Sequence, residues 1–375
     1  MGFLRSKDGV HPVAQREDVA KRAGAGEAVE EPEQRPPLRL GILGAAAIAP
    51  AVVLVPARAR SDLSIGCIAA RDQSRAQEMA DRWGIPQVVS SYEEVLASPE
   101  VDAVYIPLPN GLHGVWTQRA IAAGKHVLCE KPFTANMAEA ERVRDAAREA
   151  PELVVMEAFH WRYHPSALRV IELLEQGAIG TVQRIDASFC VPLTSSTDIR
   201  WDLGLAGGAL MDVGCYPLHM WRTFSGAEPT VVAASALERS PGVDRAMSVE
   251  LQADGVRGTV TCSMWSKRVL SIWVKITGST GELHIRNPVL PHLGGRIQVR
   301  QRSALGVRTV RTERVSRRTS YEFQMDAFLE AIATGSPVPT GPDDSVRTMA
   351  LIDACYRAAG LAPREPTQNK MSVSR

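Results

Sequence analysis

The chain has 375 residues, of which 45% are hydrophobic and 23% are charged, as in globular proteins. Its 43 Lys and Arg residues nearly balance 42 Asp and Glu residues, which excludes a strongly basic surface for nucleic acid or an anionic membrane. No run of about 20 apolar residues is present, so no membrane span is expected.

The N-terminal segment is charged, poor in large apolar side chains and without the apolar centre of a signal peptide. We therefore expect residues 1–37 to be disordered and the protein to be cytoplasmic. The six cysteines are scattered without a C-x-x-C pair, and most stand in apolar contexts. That pattern indicates buried, reduced thiols and predicts no metal site.

Residues 38–157 alternate short apolar runs with helical patterns. The apolar runs are "LRLGILG", "LSIGCIAA", "VDAVYIPLP", "KHVLCEK" and "ELVVMEA". Between them, "DQSRAQEMADRWG" reads as a helix capped by Asp72 and ended by Gly84, and "NMAEAERVRDAAREA" as a helix opened by Asn136. Strands separated by helices predict a doubly wound parallel sheet of α/β class.

Beyond residue 158 the pattern changes to successive β runs separated by Gly, Pro or Asp. Several alternate apolar and polar residues, which predicts a mainly antiparallel, open-faced sheet in an α+β domain over residues 158–362. The late helical patterns "SYEFQMDAFLEAIATG" and "PDDSVRTMALIDACYRAAG" should return to the first domain. Residues 363–375 read as a loose tail.

The first strand runs into a small-residue turn, Gly44-x-Ala46-x-x-Ala49. This spacing suits a dinucleotide pyrophosphate at a helix N-terminus, although a plain strand-to-helix turn would look the same. The second strand ends in "AARDQSR", where Arg71 stands in place of the acidic residue that binds a ribose 2′-hydroxyl, and Arg75 follows one turn later. An arginine pair fits a 2′-phosphate, so the pattern favours NADP(H) over NAD(H), whereas either arginine alone would read as surface charge.

Two further motifs end strands at the same sheet edge, "IPLPNGLH" and "VLCEKP". Asn110 and His113 either face the crevice or simply begin a helix. Lys131 would lie near the nicotinamide, where a partly desolvated lysine can hold a substrate hydroxyl and lower the pKa of a neighbouring acid. Glu130 either anchors the backbone or offsets the lysine charge.

These motifs, with "AGKHVLCEKPF", "EAFHWRYHP", "GGALMDVGCYPLHM" and "TGSTGEL", resemble the Gfo/Idh/MocA oxidoreductase family over about residues 38–361. The resemblance is greatest to the branch of dihydrodiol dehydrogenase, NADP-xylose dehydrogenase and glucose-fructose oxidoreductase. It implies a Rossmann domain, an open-faced sheet domain, a nicotinamide cofactor and Lys131 as the catalytic lysine.

In "GGALMDVGCYPLHM", Asp212, Tyr216 and His219 would project from one face of a helix. The resemblance implies Tyr216 as the acid/base, with a nearby cation lowering its pKa, and Asp212 or His219 as a grip on a substrate hydroxyl. Alternatively, all three line a helix packed on the sheet. "EAFHWRYHP" reads as a pocket wall, since it lacks the pattern of a metal site.

The resemblance also implies that Arg200, Trp201 and Tyr321 reach the cofactor from the second domain. The complete predicted cofactor set is Gly44, Ala45, Ala46, Ile48, Arg71, Arg75, Leu108, Asn110, His113, Glu130, Lys131, Arg200, Trp201 and Tyr321.

The function predicted is an NADP(H)-dependent oxidoreductase that moves hydride between nicotinamide and a sugar, polyol or trans-dihydrodiol. Alternatives on the same fold are a non-catalytic NAD(P) sensor or co-repressor and an NAD-dependent glycoside hydrolase. A homodimer or homotetramer is expected through the open sheet face, where "TCSMWS" and "LSIWVKI" would otherwise expose an apolar patch.

Overall fold

The computed structural model describes residues 36–267, 269–302 and 308–367. Almost all of the N-terminal segment predicted to be disordered, and residues 368–375 of the predicted tail, lie outside the described residues.

A six-stranded parallel sheet forms the first half of the fold, with strand order β3-β2-β1-β4-β5-β6. Its strands are β1 Leu38–Leu43, β2 Leu63–Ala69, β3 Gln87–Val88, β4 Ala103–Ile106, β5 His126–Cys129 and β6 Val155–Glu157. The order reverses between β1 and β4, and ligands of such sheets bind at the carboxyl ends of the strands beside that reversal.

Five helices connect these strands: α1 Val55–Arg58, α2 Gln73–Trp83, α3 Tyr92–Ala97, α4 His113–Ala122 and α5 Met137–Glu149. The predicted helix limits are confirmed. The Asp72 carboxylate accepts the backbone N–H groups of Ser74 and Arg75, and Gly84 ends α2 in the left-handed region at φ 70°. Asn136 caps α5 in the same way as Asp72 caps α2.

An eight-stranded sheet forms the second half, in the order β14-β13-β12-β11-β7-β10-β9-β8, and β7–β10 is its one parallel pair among the described strands. The strands are β7 Val182–Cys190, β8 Thr230–Ser240, β9 Val243–Ala253, β10 Val256–Ser263, β11 Ser271–Gly278, β12 Gly281–Arg286, β13 Arg296–Arg302 and β14 Arg308–Glu313. The remaining helices are α6 Pro165–Glu175, α7 Cys215–Ser225, α8 Ser320–Thr334 and α9 Pro342–Ala358. The predicted fold class, a parallel α/β sheet followed by a mainly antiparallel sheet, is confirmed.

The two last helices return to the first sheet, as predicted. Met325 and Phe328 of α8 are fully buried in one core with Ile42 of β1. Asp353 of α9 accepts the backbone N–H of Met137 at the start of α5. The C-terminal helices thus join the two halves of the fold.

The uncovered face of the second sheet is less apolar than predicted, although Trp265 and Leu270 of the two motifs are 50% and 72% exposed. Strand alternation puts Val274 and Ile276 of β11 on the covered face, where both are buried. On the other face, Lys275 and Glu282 form an ion pair of 2.7 Å. The homo-oligomer itself stays a prediction.

The prediction of a loose tail is wrong for the tail residues that the structure describes. Arg364 is 2% exposed and forms an ion pair of 2.7 Å with the fully buried Asp244. Thr367 donates its backbone N–H to Gly111 and its hydroxyl to Gly204. Residues 363–367 are therefore packed structure, because their polar groups find partners in both halves of the fold.

All six cysteines are buried free thiols, as predicted. Among the described residues, no helix has the length and apolar character needed to cross a bilayer. The cytoplasmic location stays a prediction.

Candidate active site

The small-residue turn after β1 lies at the carboxyl edge of the parallel sheet. The Gly44 N–H donates to Ala69 of β2, which fixes the start of the turn beside the strand-order reversal. Gly44 has φ +117°, and a Cβ there would come within 3.0 Å of a Leu108 methyl carbon. Glycine is therefore required at this position both by backbone conformation and by the close approach of the β4 loop.

This turn fits the pyrophosphate of a dinucleotide. Ala45 and Ala46 are half-buried, and Ala47 and Ile48 are exposed. Among the described residues, the backbone N–H groups of residues 45–48 donate no hydrogen bond to a backbone carbonyl. An open run of backbone donors without large side chains is the arrangement that binds phosphate oxygens.

Two arginines flank the turn from the end of β2. The Arg75 guanidinium reaches back to donate to the carbonyl of Ala45 at 3.1 Å. Arg71 is exposed at the tip of the strand, and its side chain forms no ion pair among the described residues. Arg75 therefore lies against the turn, and the binding of a 2′-phosphate by Arg71 and Arg75 stays a prediction.

Lys131 is the centre of a charged cluster at the end of β5. Its ammonium donates to the backbone carbonyl of Asp212 at 2.8 Å and to the Asp212 carboxylate at 3.1 Å. Arg200 approaches the other carboxylate oxygen at 3.4 Å and is itself held by Asp198. Burial disfavours the lysine charge, but Asp212 together with Cys215 and Glu130 outweighs burial and keeps the Lys131 pKa above its usual range.

Tyr216 lies against the same lysine. The Lys131 ammonium stands 5.2 Å from the centre of the Tyr216 ring, and the Tyr216 hydroxyl lies 3.1 Å from Nε2 of His160. The predicted fall in the Tyr216 pKa does not occur in this structure, where burial raises that pKa well above the usual range. Among the described residues, the ammonium stands over the ring and bonds to Asp212, and no hydrogen bond joins it to the phenol oxygen.

The loop that carries Lys131 is held rigidly on both sides. Glu130 accepts the hydroxyl of Tyr105 and the backbone N–H of Lys131, so it anchors the backbone, and its charge also helps to raise the Lys131 pKa. Glu157 accepts the backbone N–H of Phe133 at 2.9 Å, and burial raises the pKa of Glu157 to about 8. The lysine therefore projects from a fixed backbone.

Three predicted site residues have other partners, which for His113 and His219 favours the packing alternatives that the sequence left open. His113 is 1% exposed, and its ring nitrogens lie 2.7 Å from the carbonyls of Pro132 and Leu108, so it supports the loop and does not reach a cofactor. His219 is 2% exposed, and its Nε2 lies 2.8 Å from Asp344. Asn110 donates to the Ala206 carbonyl, a contact between the two halves of the fold.

Tyr216 and His219 share a helix face, as their spacing predicts, because both pack on the Phe159 ring, which Tyr216 meets edge-on with centroids 5.6 Å apart. The imidazole of His219 stacks on the Phe159 ring with centroids 4.2 Å apart. The buried indole of Trp201 donates to the Ser195 carbonyl and makes no polar contact with Lys131 or Asp212 among the described residues.

Tyr321 does lie beside the cluster, with its ring 4.3 Å from that of His160. His160 and Ser320 were not predicted as site residues, yet His160 joins the hydroxyls of Tyr216 and Ser320. The only local signal was the histidine in "EAFHWRYHP", which reads equally well as a pocket wall.

A dinucleotide-type turn and a lysine–carboxylate–tyrosine cluster at one edge of a Rossmann sheet define a two-domain oxidoreductase. The comparisons with known proteins agree. The model of the GFO_IDH_MocA oxidoreductase family, NAD-binding Rossmann fold, matches residues 38–158, and the GFO/IDH/MocA C-terminal domain matches residues 167–284.

Three relatives extend the comparison. D-xylose 1-dehydrogenase (NADP(+)) 2 of Haloferax volcanii is 38% identical over 86% of this chain and 97% of its own. Trans-1,2-dihydrobenzene-1,2-diol dehydrogenase of Macaca fuscata fuscata is 35% identical over 61% of this chain and 68% of its own. A 3-ketoreductase from Actinomadura kijaniata, solved with NADP and TDP-benzene, gives a TM-score of 0.77 at 30% identity, covering 86% of this chain and 98% of the other.

The chain belongs to the Gfo/Idh/MocA oxidoreductase family. The predicted family, enzyme class and branch are thereby confirmed. The predicted cofactor, NADP(H), is the one that the names of the xylose dehydrogenase and the solved ketoreductase specify.

Proposed function

We propose that this protein is an NADP(H)-dependent oxidoreductase that interconverts a hydroxyl and a carbonyl group on a sugar, polyol or trans-dihydrodiol. The observation that carries the proposal is the contact of Lys131 with both Asp212 and Tyr216 at the carboxyl edge of the parallel sheet. The names of the relatives support this substrate class, since they specify xylose, a dihydrodiol and a keto group.

The residues present fit NADP(H). The turn from Gly44 to Ile48 would hold the pyrophosphate, and Arg71 and Arg75 would hold the 2′-phosphate. When bound, the cofactor supplies or accepts the hydride. Tyr321, on α8, packs against His160 and would close over the nicotinamide, as the family resemblance implies.

The chain's own residues handle the proton and the substrate oxygen. In the reductive direction, the Tyr216 hydroxyl gives its proton to the carbonyl oxygen as the carbon receives hydride. Lys131 turns one N–H toward that oxygen and stabilises the negative charge that develops on it. Asp212 keeps the lysine charged and aimed, and its second oxygen is available to a neighbouring substrate hydroxyl.

Arg71 should decide between the two nicotinamide cofactors. Arg71→Ala is expected to weaken NADPH binding about tenfold to a hundredfold, because a charge-assisted contact to phosphate is lost, and to leave NADH binding nearly unchanged. Fluorescence titration of both cofactors measures this difference. Arg82→Ala, the same change in the last turn of α2, is the control. Equal losses for NADPH and NADH would contradict the assignment.

The reaction itself is tested by absorbance at 340 nm with NADP+ and a panel of aldoses, polyols and trans-dihydrodiols. Accumulation of reduced cofactor is the expected result. Release of sugar from a glycoside without any change in absorbance would favour the hydrolase, and cofactor binding without turnover of any substrate would favour the sensor.

A further inference from the structure

His160 is a buried histidine between two hydroxyl groups. Its Nε2 lies 3.1 Å from the Tyr216 hydroxyl, and its Nδ1 lies 2.8 Å from the Ser320 hydroxyl. His160 is 2% exposed and Ser320 is fully buried. The three side chains come from different parts of the fold: the segment after β6, helix α7 and the first turn of α8.

His160 is neutral in this environment. Burial and the positive charge of Lys131 lower its pKa to about 3, with smaller contributions from His292 and His164. A neutral imidazole has one N–H, so one ring nitrogen donates and the other accepts. The two hydroxyl partners therefore decide which nitrogen carries the proton.

Ser320 settles that choice. Among the described residues, the Ser320 hydroxyl forms one hydrogen bond, and its partner is Nδ1 of His160. If Nδ1 carried the proton, the fully buried Ser320 hydroxyl would have no acceptor for its own proton, and a buried donor without a partner is costly. The serine therefore donates to Nδ1, and the imidazole proton lies on Nε2.

We infer that His160, locked in its Nε2–H form by Ser320, is a positioning residue that donates to the Tyr216 oxygen and turns the phenol proton toward the substrate. The inference rests on the proposed function of Tyr216 as the acid/base. In the reductive direction, the O–H bond of Tyr216 breaks and an O–H bond forms on the substrate. The phenolate that results accepts the His160 N–H, and His160 keeps its own proton throughout.

The first test does not depend on activity. In the full-length protein labelled with 15N-histidine, the two ring nitrogens of His160, assigned by their disappearance in His160→Gln, should show the Nε2–H form. Ser320→Ala should shift His160 toward a mixture of both forms. Ser188→Ala, which removes another buried hydroxyl on β7, should leave the His160 signals unchanged. An Nδ1–H form in the wild type would overturn the inference.

The second test uses turnover. His160→Phe should lower kcat about a hundredfold through misplacement of the tyrosine, with the KM for NADPH unchanged. Ser320→Ala should lower kcat about tenfold. The amide of Gln can donate in place of Nε2–H, so His160→Gln should retain most of the activity that His160→Phe loses. Equal losses in His160→Phe and His160→Gln would mean that only packing matters. If no substrate is turned over, the proposed function fails, while the nitrogen spectra still decide the His160 arrangement.

Discussion

Lys131→Met should lower kcat by about three orders of magnitude, because it removes both the donor to the substrate oxygen and the partner of Asp212. Methionine keeps the length and apolar stem of the side chain, so the loop held by Glu130 and Glu157 should retain its conformation. Steady-state rates at saturating NADPH and substrate measure the loss of kcat.

The chain offers a matched control at the other end of the same strand. Lys125 precedes β5, and its ammonium donates to the carbonyls of Ser98 and Val101, away from the cluster. Lys125→Met should therefore keep kcat within about twofold, since no group of the site is touched. Similar activities of the two methionine variants would remove Lys131 from the mechanism.

Arg364→Ala should lower the free energy of unfolding by about 3–5 kcal/mol, the usual cost of removing one partner from a buried ion pair. The Arg364 and Asp244 side chains are 1% and 0% exposed, and their charged atoms lie 2.7 Å apart. Tyr356 and the Leu210 N–H would still bind Asp244, but its counter-charge would be gone. Urea unfolding followed by circular dichroism measures the loss.

Arg357→Ala is the control for this prediction. Arg357 is 62% exposed and pairs with Asp353 at 3.5 Å, so its removal should change stability by less than about 1 kcal/mol. Adding Asp244→Asn to Arg364→Ala should restore part of the loss, because the buried charge is then removed with its partner. Equal effects of the Arg364 and Arg357 variants would contradict the account.

Arg364 also connects the C-terminal segment to the site. Its Nε donates to the Gly207 carbonyl, and the Gly208 N–H donates to Arg200, which faces Asp212. A residue expected to lie in a loose tail therefore supports the segment that carries Asp212.

The first domain could be predicted from the sequence because its signals are local. Asp72, Gly84 and Asn136 are capping residues whose effect reaches only a few positions along the chain. The parallel sheet then brings the strand ends together, so the placement of Gly44 and Lys131 at one edge follows from topology.

The rest of the site depends on contacts between distant segments. His160 and Ser320 are separated by 160 residues, and Arg364 and Asp244 by 120, so no periodicity could pair them. His219 has the right helical spacing from Tyr216, but the spacing does not show that its Nε2 lies 2.8 Å from Asp344, 125 residues further along the chain. Local patterns predict which elements form, whereas packing decides which side chains meet.

The role of Tyr216 as the acid/base is tested most directly by the rate of NADP+ reduction by the wild type and Tyr216→Phe, with the substrate of the panel that gives the highest rate. We expect Tyr216→Phe to bind NADPH as tightly as the wild type and to reduce NADP+ about a hundredfold or more slowly, since only the exchangeable proton is lost. A Tyr216→Phe enzyme with wild-type turnover would contradict the account, because the proton would then come from another group.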